Sequence, residues 1–127
     1  MSYFSRLALG FAAGTIFLAA TVEAHPRLTA SNPADGAVVR NVTSIQLRFT
    51  EALVPAFSGG ELLMTGMPGM SGHQPMAVPV RSAVTNTGTT LVLTSGARLR
   101  PGTYRVNWHA VSRDTHRVAG GFGFEVR

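Results

Sequence analysis

The stretch MTGMPGMSGHQPM, from Met64 to Met76, concentrates soft metal ligands on a segment rich in glycine and proline. Its candidate ligands are Met64, Met67, Met70, His73 and Met76. Proline and glycine break helices and the methionine spacing follows no strand face, so we expect an exposed loop from about Thr65 to Pro75. Thioether sulfur suits Cu(I) or Ag(I), and imidazole also binds copper. The segment predicts a Cu(I) site; the alternatives are that its methionines fill an irregular gap in the core or form a promiscuous binding surface.

A second group of ligands would form if His25 were the first residue of the mature chain. Its α-amine, with a reference pKa of about 7.7–8.0, and its imidazole could then chelate one ion. Asp114 and His116, in the sequence DTH, point to the same side of an extended backbone. An amine, two imidazoles and a carboxylate favour Cu(II), with Zn(II) as the competitor. The alternative for DTH is a turn aspartate beside an exposed histidine.

Glu51 and His109 are two further polar residues that could serve a metal site. Glu51, in FTEALV, is either a solvated strand end or a carboxylate that orients a ligand histidine. We expect the orienting role. His109 is expected to be an ordinary residue on the polar face of its strand rather than a ligand.

Residues 1–24 have the anatomy of a secretory signal peptide. Arg6 precedes an apolar run from Leu7 to Ala20, and small residues at Val22 and Ala24 match a signal-peptidase site. The run is shorter than the roughly 20 residues that a membrane span requires. We therefore expect cleavage after Ala24, a mature domain of residues 25–127 and a periplasmic location; the alternative is an uncleaved anchor.

Alternating apolar and polar residues predict that the mature chain is all β. The clearest strand candidates are TSIQLRFT (43–50), LVLT (91–94), TYRVNWHAV (103–111) and GFGFEVR (121–127), with ELLM (61–64) and AVPVRSAV (77–84) weaker. Turn signals separate them at NPADG (32–36), SGG (58–60), TNTG (85–88) and RPG (100–102). Short strands separated by such turns predict one β-sandwich or small barrel of about seven strands.

Composition narrows the kinds of site that the chain can build. There is no cysteine, which excludes disulfides, cysteine-zinc sites, iron–sulfur clusters and thiolate blue copper. The net charge is +5, but the arginines are scattered rather than clustered, so we expect a soluble basic surface and no nucleic-acid partner. A metal ion would have to be held by His, Met, carboxylate or the chain terminus.

Four stretches together resemble the CopC/PcoC family of periplasmic copper-resistance proteins. They are HPRLTASNPADGA, LRFTEALVPAFSGGELLMTGMPGM, GTYRVNWHAVSRDTH and GGFGFEV. The resemblance implies an Ig-like or cupredoxin-like Greek-key β-sandwich or barrel with copper sites at opposite ends. It implies Cu(II) at His25, Glu51, Asp114 and His116, and Cu(I) at Met64, Met67, Met70, His73 and Met76. One departure is that Ser71 and Gly72 both stand where the family has a single residue before the histidine.

The combined hypothesis is a monomeric, non-catalytic periplasmic copper carrier acting in copper homeostasis and resistance. The resemblance implies transfer to an inner-membrane CopD-type transporter or to a multicopper oxidase. The alternative is a small copper monooxygenase with an N-terminal histidine brace, although about 100 residues leave little room for a substrate surface. A plain sandwich adhesion module would bind no metal.

Overall fold

The computed structural model describes residue 10 and residues 12–16, 25–70, 73–85 and 87–127. Most of the predicted signal peptide, and the two residues 71–72 in the methionine segment, lie outside this part of the chain. Among the described residues, no helix has the length and apolar character needed to span a membrane.

Nine strands and one short 3-10 turn, Pro55–Phe57, make up the regular structure of the described residues. The strands are β1 (Leu28–Asn32), β2 (Val38–Val39), β3 (Ser44–Phe49), β4 (Gly59–Gly66), β5 (Met76–Val78), β6 (Val80–Val84), β7 (Thr90–Ser95), β8 (Gly102–Val111) and β9 (Arg117–Val126). They form a four-stranded sheet, ordered β1-β3-β7-β6, and a five-stranded sheet, ordered β2-β9-β8-β4-β5. The predicted all-β sandwich is confirmed; β2 and β5 are the short additions to about seven longer strands.

The hydrophobic core lies between the two sheets and follows the predicted alternation. Ile45, Leu47 and Phe49 of β3 are buried, while the residues between them face outward. Across the core, Val106 and Trp108 of β8 point inward, and the Trp108 ring packs edge-on against Phe49 at 5.1 Å between centroids. Burial of these apolar faces is the main force that holds the sheets together.

The predicted turn at SGG (58–60) is wrong, because Gly59 and Gly60 begin β4 instead. Gly60 pairs with Trp108, and a Cβ on it would lie 3.1 Å from a Leu93 methyl. On the other side of Trp108, a Cβ on Gly120 would lie 2.6 Å from the indole ring. Gly60 and Gly120 are therefore strand residues, and the absence of a Cβ leaves space for the Leu93 and Trp108 side chains.

The stretch AVPVRSAV forms two strands rather than one. It is divided at Pro79, where the chain leaves β5 in the five-stranded sheet and enters β6 in the four-stranded sheet. Proline cannot donate a ladder hydrogen bond, so it suits a position between two sheets better than one inside a strand.

Strand β8 joins the two ends of the sandwich at which candidate ligands occur. Its first residues, Gly102 and Thr103, lie beside Gly66 and the start of the methionine segment. Its last residue, Val111, leads into the DTH turn. Ten residues of extended strand span about 30 Å. The two groups of candidate ligands are therefore too far apart to hold one ion together.

Candidate metal centres

His25 is placed by the two residues that follow it. Pro26 is fully buried, and the backbone of Arg27 exchanges two hydrogen bonds with Thr50. The Arg27 N–H donates to Thr50 Oγ1 at 3.0 Å, and the Thr50 N–H donates to the Arg27 carbonyl at 3.0 Å. These contacts join residues that are 23 positions apart, so the sequence did not predict them.

A tight turn after β8 brings Asp114 and His116 to the same end of the sandwich. The Thr115 N–H donates to the Ser112 carbonyl at 3.0 Å, and the Ser112 N–H donates to the His116 carbonyl at 3.4 Å. Thr115 has a φ of 69°, which is uncommon for a β-branched residue. The turn is thus closed by backbone hydrogen bonds on both sides of Asp114.

His25, Asp114 and His116 offer one ligand atom each, and the three atoms lie within 4.8 Å of one another. The two imidazole rings meet edge to face, with centroids 4.5 Å apart. Asp114 Oδ2 lies 2.9 Å from His116 Nδ1. Adjacent ligands on metal bonds of about 2.0 Å at right angles stand roughly 2.8 Å apart. The three side chains therefore fit one ion with small rotations.

Hydrogen bonds keep the Asp114 carboxylate ionised. The Ser112 hydroxyl, followed by the His116 side chain, donates to it and lowers the pKa of Asp114 from 3.8 to about 2. Asp114 is therefore an anion throughout the neutral pH range. A divalent cation placed among these ligands would meet a negative charge already in position.

The acid stability of the metal-free protein tests this assignment. Because the folded-state pKa lies below 3.8, ionised Asp114 stabilises the fold above that value, and the stabilisation is lost as the pH falls through about 2. In thermal melts, the Tm of the wild type is expected to fall more steeply than that of Asp114→Asn across this window. Parallel slopes would contradict the lowered pKa.

Glu51 and His109 lie outside the three-residue group. Glu51 is half-buried, next to Thr50, in a segment that is also tied to β8 by the Val54 N–H and the Val111 carbonyl at 2.7 Å. Its orienting role stays a prediction. His109 lies on the outer face of β8 opposite Ala119, and burial, then the charge of Arg117, lowers its pKa.

At the opposite end, Met67 and Met70 close a four-residue turn. The Met70 N–H donates to the Met67 carbonyl at 2.9 Å, and the Met67 N–H donates to the Met70 carbonyl at 3.2 Å. Pro68 and Gly69 occupy the centre, and Gly69 has a φ of 78°. Proline followed by glycine with positive φ is typical of a type II turn. The turn therefore places the two methionines opposite each other.

Met64 and Met76 form a second facing pair, on strands β4 and β5. The expected loop from Thr65 is too long, because β4 continues to Gly66. Met64 belongs to the core and is 7% exposed, whereas Met76 at the sheet edge is 46% exposed. Directly opposed residues have Cβ atoms about 4.5–5.5 Å apart. Strand pairing thus brings Met64 and Met76 together, although their spacing in the sequence gave them no common face.

His73, in the same segment, has a ring nitrogen without a hydrogen-bond partner among the described residues. Its Nδ1 lies 2.7 Å from the Gln74 carbonyl, which only accepts hydrogen bonds, so Nδ1 carries the proton in the neutral ring. Its Nε2 is buried and has no hydrogen-bond partner among the described residues. A buried imidazole lone pair without a hydrogen-bond partner is available to bind a metal ion, and imidazole is a copper ligand.

Sequence comparison decides the family. A sequence model of the CopC domain matches residues 28–127. The chain belongs to the CopC family. It is 46% identical to copper resistance protein C of Pseudomonas syringae pv. tomato, over 92% of this chain and 91% of that protein. It is 45% identical to copper resistance protein C of Xanthomonas campestris pv. juglandis, over 85% of this chain and 84% of that protein.

Structure comparison gives the same CopC relationship. The chain is similar to the crystal structure of PcoC, described as a methionine-rich copper resistance protein from Escherichia coli, with a TM-score of 0.76 and 41% identity. The match covers 82% of this chain and all of the other. The expected family is confirmed, and with it a link to copper resistance.

Proposed function

We propose that this chain is a periplasmic copper carrier that binds Cu(II) at a processed N-terminus and Cu(I) at the methionine turn. The observation that carries the proposal is the group of His25, Asp114 and His116 within 4.8 Å. Signal-peptide cleavage before His25 adds the α-amine as a fourth ligand. The resulting set of three nitrogens and one carboxylate is the kind that Cu(II) prefers.

We propose that the Cu(I) site consists of Met67, Met70, Met76 and His73. Met64, which lies in the core, is a further candidate. Its support is the pairing of the methionines across β4 and β5 and across the tight turn. Thioethers are neutral and exchange one at a time, which suits release of the ion to another protein. We propose a CopD-type inner-membrane transporter or a multicopper oxidase as the recipient, and a monomeric carrier.

We propose a binding role rather than histidine-brace oxidation. Oxygen activation requires an open coordination position on the metal. Here Asp114 Oδ2 already lies 2.9 Å from His116 Nδ1. The ionised carboxylate would occupy that position. Reductant-dependent oxidation of an added substrate by copper-loaded protein would contradict this part of the proposal.

Intact mass and Cu(II) EPR on protein purified from the periplasm test the proposal together. The full chain is expressed, and the mass is expected to correspond to a chain that begins at His25. The EPR spectrum of the Cu(II) protein is expected to show a tetragonal site with nitrogen hyperfine structure. A retained leader, or a spectrum of Cu(II) bound only by oxygen, would overturn the Cu(II) site.

A further inference from the structure

Ser112 is a buried hydroxyl that points at a candidate ligand. It is 3% exposed at the end of β8, and its hydroxyl donates a hydrogen bond to Asp114 Oδ1. Its own position is fixed by the bridge to Leu53 and by the backbone hydrogen bonds of the turn. A buried hydroxyl held this firmly restricts the group that it contacts.

The two oxygens of Asp114 have different surroundings. Oδ1 accepts the Ser112 hydroxyl and also the His116 backbone N–H at 3.2 Å. Oδ2 faces the His116 ring, with 2.9 Å between Oδ2 and Nδ1. Both donors to Oδ1 come from the turn itself, so the carboxylate is held in one rotation. Oδ2 is the oxygen that faces a ring nitrogen, that of His116.

We propose that Ser112 is a positioning residue of the Cu(II) site, holding Asp114 so that it meets the ion through Oδ2 alone. The inference rests on the proposed function. Without the hydroxyl, the carboxylate has one donor fewer and can rotate to present both oxygens or turn to solvent. Loss of a residue that hydrogen-bonds to a metal ligand typically lowers the metal affinity about 10- to 100-fold.

Serine variants of the full chain, exported and purified from the periplasm, test this role. Ser112→Ala is expected to raise the Cu(II) dissociation constant about 10- to 100-fold and to change the EPR spectrum. Ser58→Ala is the matched control, because Ser58 is also buried and its hydroxyl, among the described residues, bonds only to the Val111 backbone, at 3.0 Å and 3.4 Å. It is expected to keep the wild-type affinity and spectrum.

A second pair of variants separates positioning from packing. Ser112→Thr and Ser112→Val have the same shape and differ in the hydroxyl, so a packing defect would affect both. The proposal expects Thr to restore the wild-type EPR spectrum and Val to behave as Ala does. Equal affinities for Val and Thr, or a wild-type affinity for Ala, would overturn the role of Ser112. A wild-type protein that binds no Cu(II) would overturn the proposed function and this inference with it.

Discussion

Acetylating the α-amine of the exported protein is expected to abolish tight Cu(II) binding and leave Cu(I) binding unchanged. The lone pair of an acetylated nitrogen is delocalised into the carbonyl group, so the neutral amide is a poor metal ligand and the chelate with the His25 ring is lost. The effect should exceed the roughly 10- to 100-fold cost of losing a supporting partner, because a ligand itself is removed. Competition with a chelator of known affinity measures both constants on the same preparation.

The composition makes this reaction selective. All 11 basic side chains are arginine, so the chain terminus is the only amine of the molecule. One acetyl group by intact mass, after hydroxylamine has removed ester and acyl-imidazole adducts, therefore identifies the modified site. Cu(II) bound beforehand is expected to protect the amine from acetylation, which gives a second and independent readout.

Histidine variants supply the matched control for the terminus. His25→Ala is expected to lose Cu(II) binding as acetylation does. His109→Ala removes the same side chain from the outer face of β8, outside the three-residue group, and is expected to bind like the wild type. Unchanged Cu(II) affinity after complete acetylation would show that the amine is not a ligand.

The alternation of side chains made β3 and β8 predictable. Ile45, Leu47 and Phe49 in β3, and the inward residues of β8, follow a period of two because one face of each strand is buried. β1 gave no such signal. It lies at a sheet edge and its pairing with β3 is irregular between Leu28 and Ala30, so its burial does not alternate.

The types of ligand were predictable, but their grouping was not. His25 and the DTH sequence indicated copper ligands by chemistry, whereas their proximity depends on Pro26 and on the hydrogen bonds between Arg27 and Thr50. Those contacts join segments that are distant in the sequence. Ser112 was missed for a similar reason, since a serine two residues before an aspartate is common and only burial makes it distinctive.

The grouping of the methionines could not be predicted either, because it depends on the register of two strands. Spacing alone gave no common face for Met64 and Met76, because the relation depends on which residues of β4 and β5 are opposite each other. The Pro68–Gly69 pair did carry a turn signal, and the structure uses it to pair Met67 with Met70.

Replacing both exposed methionines, Met70 and Met76, by leucine is expected to remove tight Cu(I) binding without unfolding the protein. Met70 is 56% exposed and Met76 is 46% exposed, so neither contributes much to the core. Leucine has a similar volume and is usually tolerated for methionine at a cost below about 1.5 kcal/mol. It lacks the sulfur, however, so the variant keeps only Met67 and His73, with Met64 in the core, as candidate Cu(I) ligands of the segment.

Anaerobic competition with a chromophoric Cu(I) chelator measures the loss, and Cu(II) affinity of the same variant is the internal control. The Cu(II) constant is expected to stay unchanged, because about 30 Å of β8 separates the two ends. A parallel loss at both sites would indicate a damaged fold instead. Retained Cu(I) affinity, with an unchanged melting temperature, would show that the exposed thioethers do not hold the ion.

The Met64→Leu variant tests whether Met64 is a Cu(I) ligand or only a residue of the core. Met64 is 7% exposed, and its terminal methyl would lie 3.4 Å from a Cβ placed on Gly102. Because leucine can fill much of the same volume, a role confined to packing leaves the Cu(I) affinity close to that of the wild type. A loss as large as that of the variant with both Met70 and Met76 replaced would mean that the Met64 sulfur reaches the ion from inside the sandwich. In that case the Cu(I) site would extend into the core, and loading it would stiffen the pairing of β4 with β5.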